Sequence, residues 1–365
     1  MGKTVDTKII HDGSDPKKHF GSINDPIYKN STLIFDNYKS FLQSKKKKFD
    51  VPYYGRISTY TTRRFEELIS KIYDCKVGVV TSSGLSAITL TLLSLLKKND
   101  EIILTENCYE PVYNFAENEL KRFGINSKYF GSSQNETLQK LITTKTKVIY
   151  IESPGSLNFE VEDLKKIVSI AKPRKILTVM DNTWSTFLGC NPLKYGIDVV
   201  IESATKYLSG HSDNFLGIIA LNSDKYRRLI KQSAVRIGDF VSAESCFEAS
   251  KGLKTLKIRM EKHQYNAKKI FNYLKSNKIV TDILYLPDKS NKSNKLWKKF
   301  HKINNGLITF SIRNNGNVNV FVDSLKLFKI GFSWGGYESL ILPLESLKPS
   351  RKMSKNKDYW FRIHI

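Results

Sequence analysis

Apolar residues along the chain gather in two kinds of run. In FEELISKIYD (65–74), Phe65, Leu68, Ile69 and Ile72 recur three and four apart, a spacing that predicts an amphipathic helix. By contrast VGVV (77–80), EIILT (101–105), KVIYIE (147–152), KILTVMD (175–181) and DVVIES (198–203) are short and nearly continuous. Such runs predict strands buried on both faces. LSAITLTLLSLL (85–96) is apolar almost all round and predicts a buried helix. Strand and helix alternate through this stretch, so the expected architecture is α/β, a mostly parallel sheet with helices on both faces.

The pattern changes beyond residue 242. A long helical stretch over 242–277 opens a second, smaller α/β region that includes the strands GLITFSI (306–312) and YWFRIHI (359–365). Between them, DKSNKSNKLWKKFHKINN (288–305) is rich in Lys and Asn and is expected to be a mobile surface loop. Residues 1–50 are polar and broken, end in Lys45–Lys48, and suit an arm that packs on something else. The expected division is an arm over 1–50, a large domain over 51–245 and a small domain over 246–365. No repeat of fixed period interrupts this order.

Composition narrows the class. The 365 residues are 40% apolar and 26% charged, which excludes disorder, collagen and small disulfide scaffolds. A net charge of +24 invites a nucleic-acid reading. Lysine, however, supplies 47 of the 59 basic residues, whereas arginine is preferred for bidentate contacts to phosphates and bases. With no helix-turn-helix and no aromatic-basic interleaving, the excess reads as solvated faces, and no nucleic-acid partner is expected. Cys75, Cys108, Cys190 and Cys246 form no C-x-x-C pair, and the six histidines are scattered, so neither a metal site nor a redox motif is expected. The N-terminus carries no apolar signal segment and Leu85–Leu96 is too short to span a bilayer; a cytoplasmic protein with no membrane contact is the expectation.

Ligands of an open parallel sheet sit beyond the carboxyl ends of its strands. Four such ends here carry a complementary set of polar residues. Ser82-Ser83-Gly84 leads from a strand into a helix, where free backbone N–H groups suit a phosphate, although alone it is an ordinary helix start. Asp181 ends another strand; alone it is as readily a cap or turn residue. Lys206 lies just past DVVIES, flanked by Ser203 and Thr205, where burial would lower its pKa and make its amine nucleophilic. Tyr109 follows the strand at 101–105 and offers an aromatic face. An amine, a carboxylate, a phosphate cup and a stacking ring together match the needs of pyridoxal phosphate.

Segments in the order PIYKNST (26–32), YGR (54–56), SSGLSAI (82–88), NCYEPVYNF (107–115), ESPGSLNFEVED (152–163), DNTW (181–184), ESATKYLSGHSD (202–213) and SWGGYESL (333–340) then complete a pattern. The chain resembles, over nearly its whole length, the pyridoxal-phosphate enzymes of cysteine and methionine metabolism. The resemblance implies the fold type I transferase-like architecture, a tetramer built from dimers, an N-terminal arm on a neighbouring subunit and shared active sites. It also implies roles. Lys206 would be the cofactor lysine, Asp181 the partner of the ring nitrogen and Tyr109 the stacking ring. The Gly84 and Leu85 amides, with the Ser203 and Thr205 hydroxyls, would hold the phosphate. Tyr54 and Arg56 would reach into the neighbour's site, Tyr54 and Tyr109 assisting proton movement. Arg362, with Ser333 and Trp334, would clamp the substrate carboxylate.

Phe332 stands before Ser333-Trp334-Gly335-Gly336-Tyr337, where γ-acting members carry an acid. This implies β-elimination of L-cystathionine to homocysteine, pyruvate and ammonia, in methionine biosynthesis, extending to other cysteine S-conjugates. Alanine racemisation at the same site and γ-lyase or γ-synthase chemistry are the alternatives. The family pattern continues past the position of Ile365 with a further helix, so a less rigid Arg362 is expected here.

Overall fold

The computed structural model describes residues 3–131, 135–313, 318–344 and 358–365. Seven strands form the larger sheet: β1 Val77–Thr81, β2 Glu101–Thr105, β3 Asn126–Phe130, β4 Thr146–Glu152, β5 Leu177–Asp181, β6 Val199–Ser203 and β7 Gly217–Leu221. Their spatial order is β1-β7-β6-β5-β4-β2-β3. All pairings are parallel except those of β7, which runs antiparallel to both β1 and β6. The expected α/β class is therefore found.

The strands read as unbroken apolar runs because each face of the sheet has its own core. Ile103, Ile149, Ile151 and Met180 pack to one side, with the helices Tyr60–Tyr73 and Ala243–Ser276. Ile102, Leu104, Val148 and Val179 pack to the other, with the helix Gly84–Leu95. Alternate residues thus enter opposite cores, which removes the polar-apolar alternation of a half-exposed strand.

A second sheet holds β8 Val280–Leu284, β9 Leu307–Ile312, β10 Lys329–Ile330, β11 Leu340–Pro343 and β12 Tyr359–His364, in the order β10-β11-β12-β9-β8. Phe310, Ile341, Phe361 and Ile363 join Ala267, Phe271 and Leu274 of the long helix in a separate cluster. The helix starts on Ser242, whose hydroxyl accepts from the Ser245 amide.

One expectation changes on inspection of these elements. Residues 294–300 are a helix, not a loop, because Trp297 and Phe300 are buried in the main core and outweigh the surrounding Lys and Asn. Near the N-terminus, the helix Val5–His11 packs on its own chain through Ile9, while Phe20, Ile23, Ile34 and Tyr38 further along stand exposed. No helix among the described residues is long and apolar enough to cross a membrane.

Candidate active site

Beyond the carboxyl ends of β2, β4, β5 and β6 lies a cleft of about 750 Å³. Its size suits a small-molecule site. Ser83, Gly84, Leu85, Tyr109, Glu152, Asp181, Ser203, Thr205, Lys206, Ser333, Trp334 and Arg362 all line it. The sheet topology thus brings together residues spread over 280 positions of sequence, from Ser83 onward.

The cup at β1 has the form a phosphate needs. Ser83 caps the helix Gly84–Leu95, its hydroxyl accepting from the Ser86 amide at 3.0 Å. Gly84 and Leu85, the first two helical residues, have N–H groups with no intrahelical acceptor. A Cβ on Gly84 would lie 2.5 Å from the Ser203 Cβ and 2.6 Å from its hydroxyl, so only glycine lets these two elements meet. Thr205 differs from expectation. Its hydroxyl accepts from the Leu216 amide at 3.0 Å and donates to the Leu216 carbonyl at 3.3 Å, so it already serves the β6–β7 connection.

Asp181 ends β5, buried, and accepts from the Thr183 amide at 2.8 Å. Burial raises its pKa; the hydrogen bond from Thr183 and the charge of Lys206 work against the rise. Lys206 is half-buried. Its pKa falls to about 8, mainly through desolvation and then through the nearby Arg362 cation. Its Nζ donates to the Ser333 hydroxyl at 2.6 Å and lies 5.5 Å from the centre of the Trp334 ring. Ser333 adopts a left-handed backbone with φ of 68°. That conformation is strained for serine and aims its hydroxyl at the lysine. Arg362, on β12, is buried and donates to the Ser156 and Ser333 carbonyls at 3.3 and 3.4 Å, with its pKa lowered to about 10 by burial. The guanidinium thus lies between the loops that carry Ser156 and Ser333.

Sequence reasoning missed two acids. Glu152 is the cross-strand partner of Asp181 and accepts from the Tyr109 amide at 2.5 Å, so it fixes the residue that carries the aromatic face. Burial and the Asp181 charge both push its pKa up. Glu202, fully buried behind Ser203, accepts from the Tyr73 hydroxyl and, at 3.2 Å, from the Asn182 side chain. ESPGSL and ESATKY contain both acids, but nothing in the linear pattern says that they turn inward. Tyr54 and Arg56 do not line this cleft; Tyr54 is exposed and Arg56 donates to the Val235 carbonyl at 2.9 Å.

Residues 6–357 match the family described as Cys/Met metabolism PLP-dependent enzyme. The chain belongs to that family. Pyridoxal phosphate is accordingly its cofactor, and the cup at Gly84 and the Asp181–Lys206 pair fit its phosphate, ring nitrogen and aldehyde. Among relatives of this PLP enzyme, an L-alanine/L-glutamate racemase of Wolbachia pipientis wMel is 34% identical over 96% of this chain and 89% of its own. A cystathionine beta-lyase of Lactococcus lactis subsp. cremoris is also 34% identical, over 93% and 87%, and that of Escherichia coli K12 is 29% identical over the same shares. The crystal structure of a cystathionine gamma-lyase from Lactobacillus plantarum, in complex with L-serine, superposes with a TM-score of 0.91 at 28% identity, covering all of this chain and 94% of that one. Membership of this family supports PLP-dependent lyase or synthase chemistry at carbon–sulfur bonds for this chain.

Proposed function

We propose that the protein is a cystathionine β-lyase, which converts L-cystathionine and water to homocysteine, pyruvate and ammonia. The observation that carries this reading is the wall opposite Lys206. Phe332 lines it where γ-acting relatives place an acid, and the Trp334 ring closes over the lysine.

When bound, pyridoxal phosphate supplies an electron-withdrawing ring that acidifies the substrate Cα–H and lets the Cβ–S bond break. Lys206 Nζ, its pKa lowered to about 8, is the base for the Cα proton. The Ser333 hydroxyl accepts from that nitrogen at 2.6 Å and so lies beside it. Asp181 would serve the ring nitrogen and keep it protonated. The Gly84 and Leu85 amides and the Ser203 hydroxyl would hold the phosphate, with Thr205 bracing the same turn. Tyr109 would supply the aromatic face for the ring. Arg362, already desolvated, pairs with the substrate α-carboxylate through its planar fork. Tyr54 and Arg56 complete the site of a neighbouring subunit in a dimer-based tetramer, where they reach the phosphate, and Tyr54 with Tyr109 assists proton movement.

Product analysis with L-cystathionine tests the reading. Pyruvate with homocysteine supports it; 2-oxobutyrate with cysteine would overturn it in favour of γ-chemistry. A second reading, racemisation of a small amino acid, is favoured by the identity with the Wolbachia racemase. It needs the same proton removal by Lys206, followed by return on the opposite face. D-alanine formed from L-alanine, without pyruvate from L-cystathionine, would establish it.

A further inference from the structure

His364 takes no part in the chemistry above, yet it lies directly beneath the residues that face Lys206. It is almost fully buried. Its Nε2 accepts from the Gly335 amide at 3.1 Å, and its Nδ1 donates to the Glu338 carbonyl at 3.2 Å. An amide can only donate and a carbonyl can only accept, so the two contacts together require the neutral ring with its proton on Nδ1. Burial and neighbouring cations hold its pKa far down, in agreement with that form.

The turn held this way has little freedom to rest elsewhere. Gly335 has φ of 92°, and a Cβ there would meet the Tyr207 nitrogen at 2.7 Å and the Lys206 carbonyl carbon at 2.8 Å. Its backbone therefore lies against the backbone of the catalytic lysine. Tyr207 packs on both Trp334 and His364, with centroids 5.3 and 5.8 Å apart, and the His263 ring lies tilted behind His364 at 4.9 Å. Ser333 keeps its strained conformation only while something outside it resists relaxation.

We propose that His364 is the positioning residue of this site: its two ring nitrogens clasp both ends of the Gly335–Glu338 turn and so hold Ser333 and Trp334 against Lys206. The clasp depends on the cofactor site, not on which reaction follows, so it stands or falls separately from the β-lyase reading. His364→Gln keeps an acceptor near the Nε2 position, His364→Asn keeps a donor near the Nδ1 position, and His364→Ala removes both.

Hydrogen–deuterium exchange on the full-chain holoenzyme reads the clasp without turnover. Exchange over residues 332–340 should rise in His364→Ala and rise less in Gln and Asn, while the helix Gly84–Leu95 stays protected. For substrate, KM should increase on the order of tenfold in His364→Ala, with a smaller change in kcat and partial recovery in the Gln and Asn variants, as expected for two net hydrogen bonds. Unchanged exchange over 332–340 in His364→Ala would overturn the proposal. So would equal defects in Ala, Gln and Asn, which would make His364 a packing residue. If His364→Ala does not fold, the Gln and Asn variants decide: wild-type exchange in both overturns the clasp.

Discussion

Lys206 and Glu202 stand four positions apart on the same strand exit, and burial moves them toward each other from opposite ends of the pH scale. Desolvation disfavours whichever form carries charge, so the amine falls to about 8 and the carboxyl rises to about 8. For Glu202 the consequence is a stability effect. The folded chain keeps this proton up to about pH 8, whereas the unfolded chain releases it near 4.5. Across that window the fold binds more protons, so stability falls as pH rises, by up to about 1.4 kcal/mol per pH unit from this group. Glu202→Gln mimics the protonated form and retains an acceptor for Tyr73 and Asn182. Urea unfolding at pH 5 and pH 9 should show a flatter pH dependence for this variant, with its gain at pH 9. An unchanged slope would mean that Glu202 is not buried as an acid.

Lys206 and Asp181 were legible in the sequence because each sits at the end of an apolar strand, where a charged residue is out of place unless it is used. Glu202 sits in a similar place and was passed over, since a single acid beside Lys206 gives no hint of its partner Tyr73, 129 positions away. His364 is a harder case still. Its partners lie in a turn whose shape is set by left-handed backbone at Ser333 and Gly335, which no spacing rule foresees.

At the scale of elements, the start of the helix Gly84–Leu95 carries the cofactor cup. The Ser83 cap and the apolar run after Gly84 made this helix readable, but its need for glycine comes from Ser203 on β6. Gly84→Ala places a methyl where Ser203 stands and should weaken pyridoxal phosphate binding on the order of tenfold or more, measured by titrating apoprotein and following visible absorbance. Far-UV circular dichroism should remain that of the parent, since alanine favours the helix. Wild-type affinity in this variant would remove Gly84 from the cup. The edge strand β3 and the antiparallel β7 escaped the reading of runs for different reasons. NSKYF is polar because it is an edge, whereas GIIAL is apolar but carries no mark of direction.

At the scale of the whole molecule, the cleft of one chain lacks two residues that the family resemblance assigns to it. Tyr54 and Arg56 lie away from it, and exposed Phe215 and Phe332 stand at its lining. A neighbouring subunit that brings Tyr54 and Arg56 would also cover such apolar surface. Sites shared in this way would make a direct prediction. Arg56→Ala and Lys206→Ala homo-oligomers should each be inactive or nearly so, but subunits unfolded together and refolded as mixtures should regain activity. A mixed dimer then has one site with both residues intact. Failure to regain activity in mixtures that do contain mixed dimers would mean that each chain completes its own site.

What the sequence determined by itself was the layered α/β order and the chemistry at the strand ends. Both follow from local facts: a strand buried on two faces must be apolar throughout, and polar residues at its exit must be tolerated by something. The tertiary structure alone decided which acids turn inward, that Thr205 braces a turn, that residues 294–300 fold as a helix, and that His364 grips the wall of the site. Each of these depends on a partner far away along the chain. Burial and hydrogen bonding act through distance in space, and the linear pattern records only distance along the backbone.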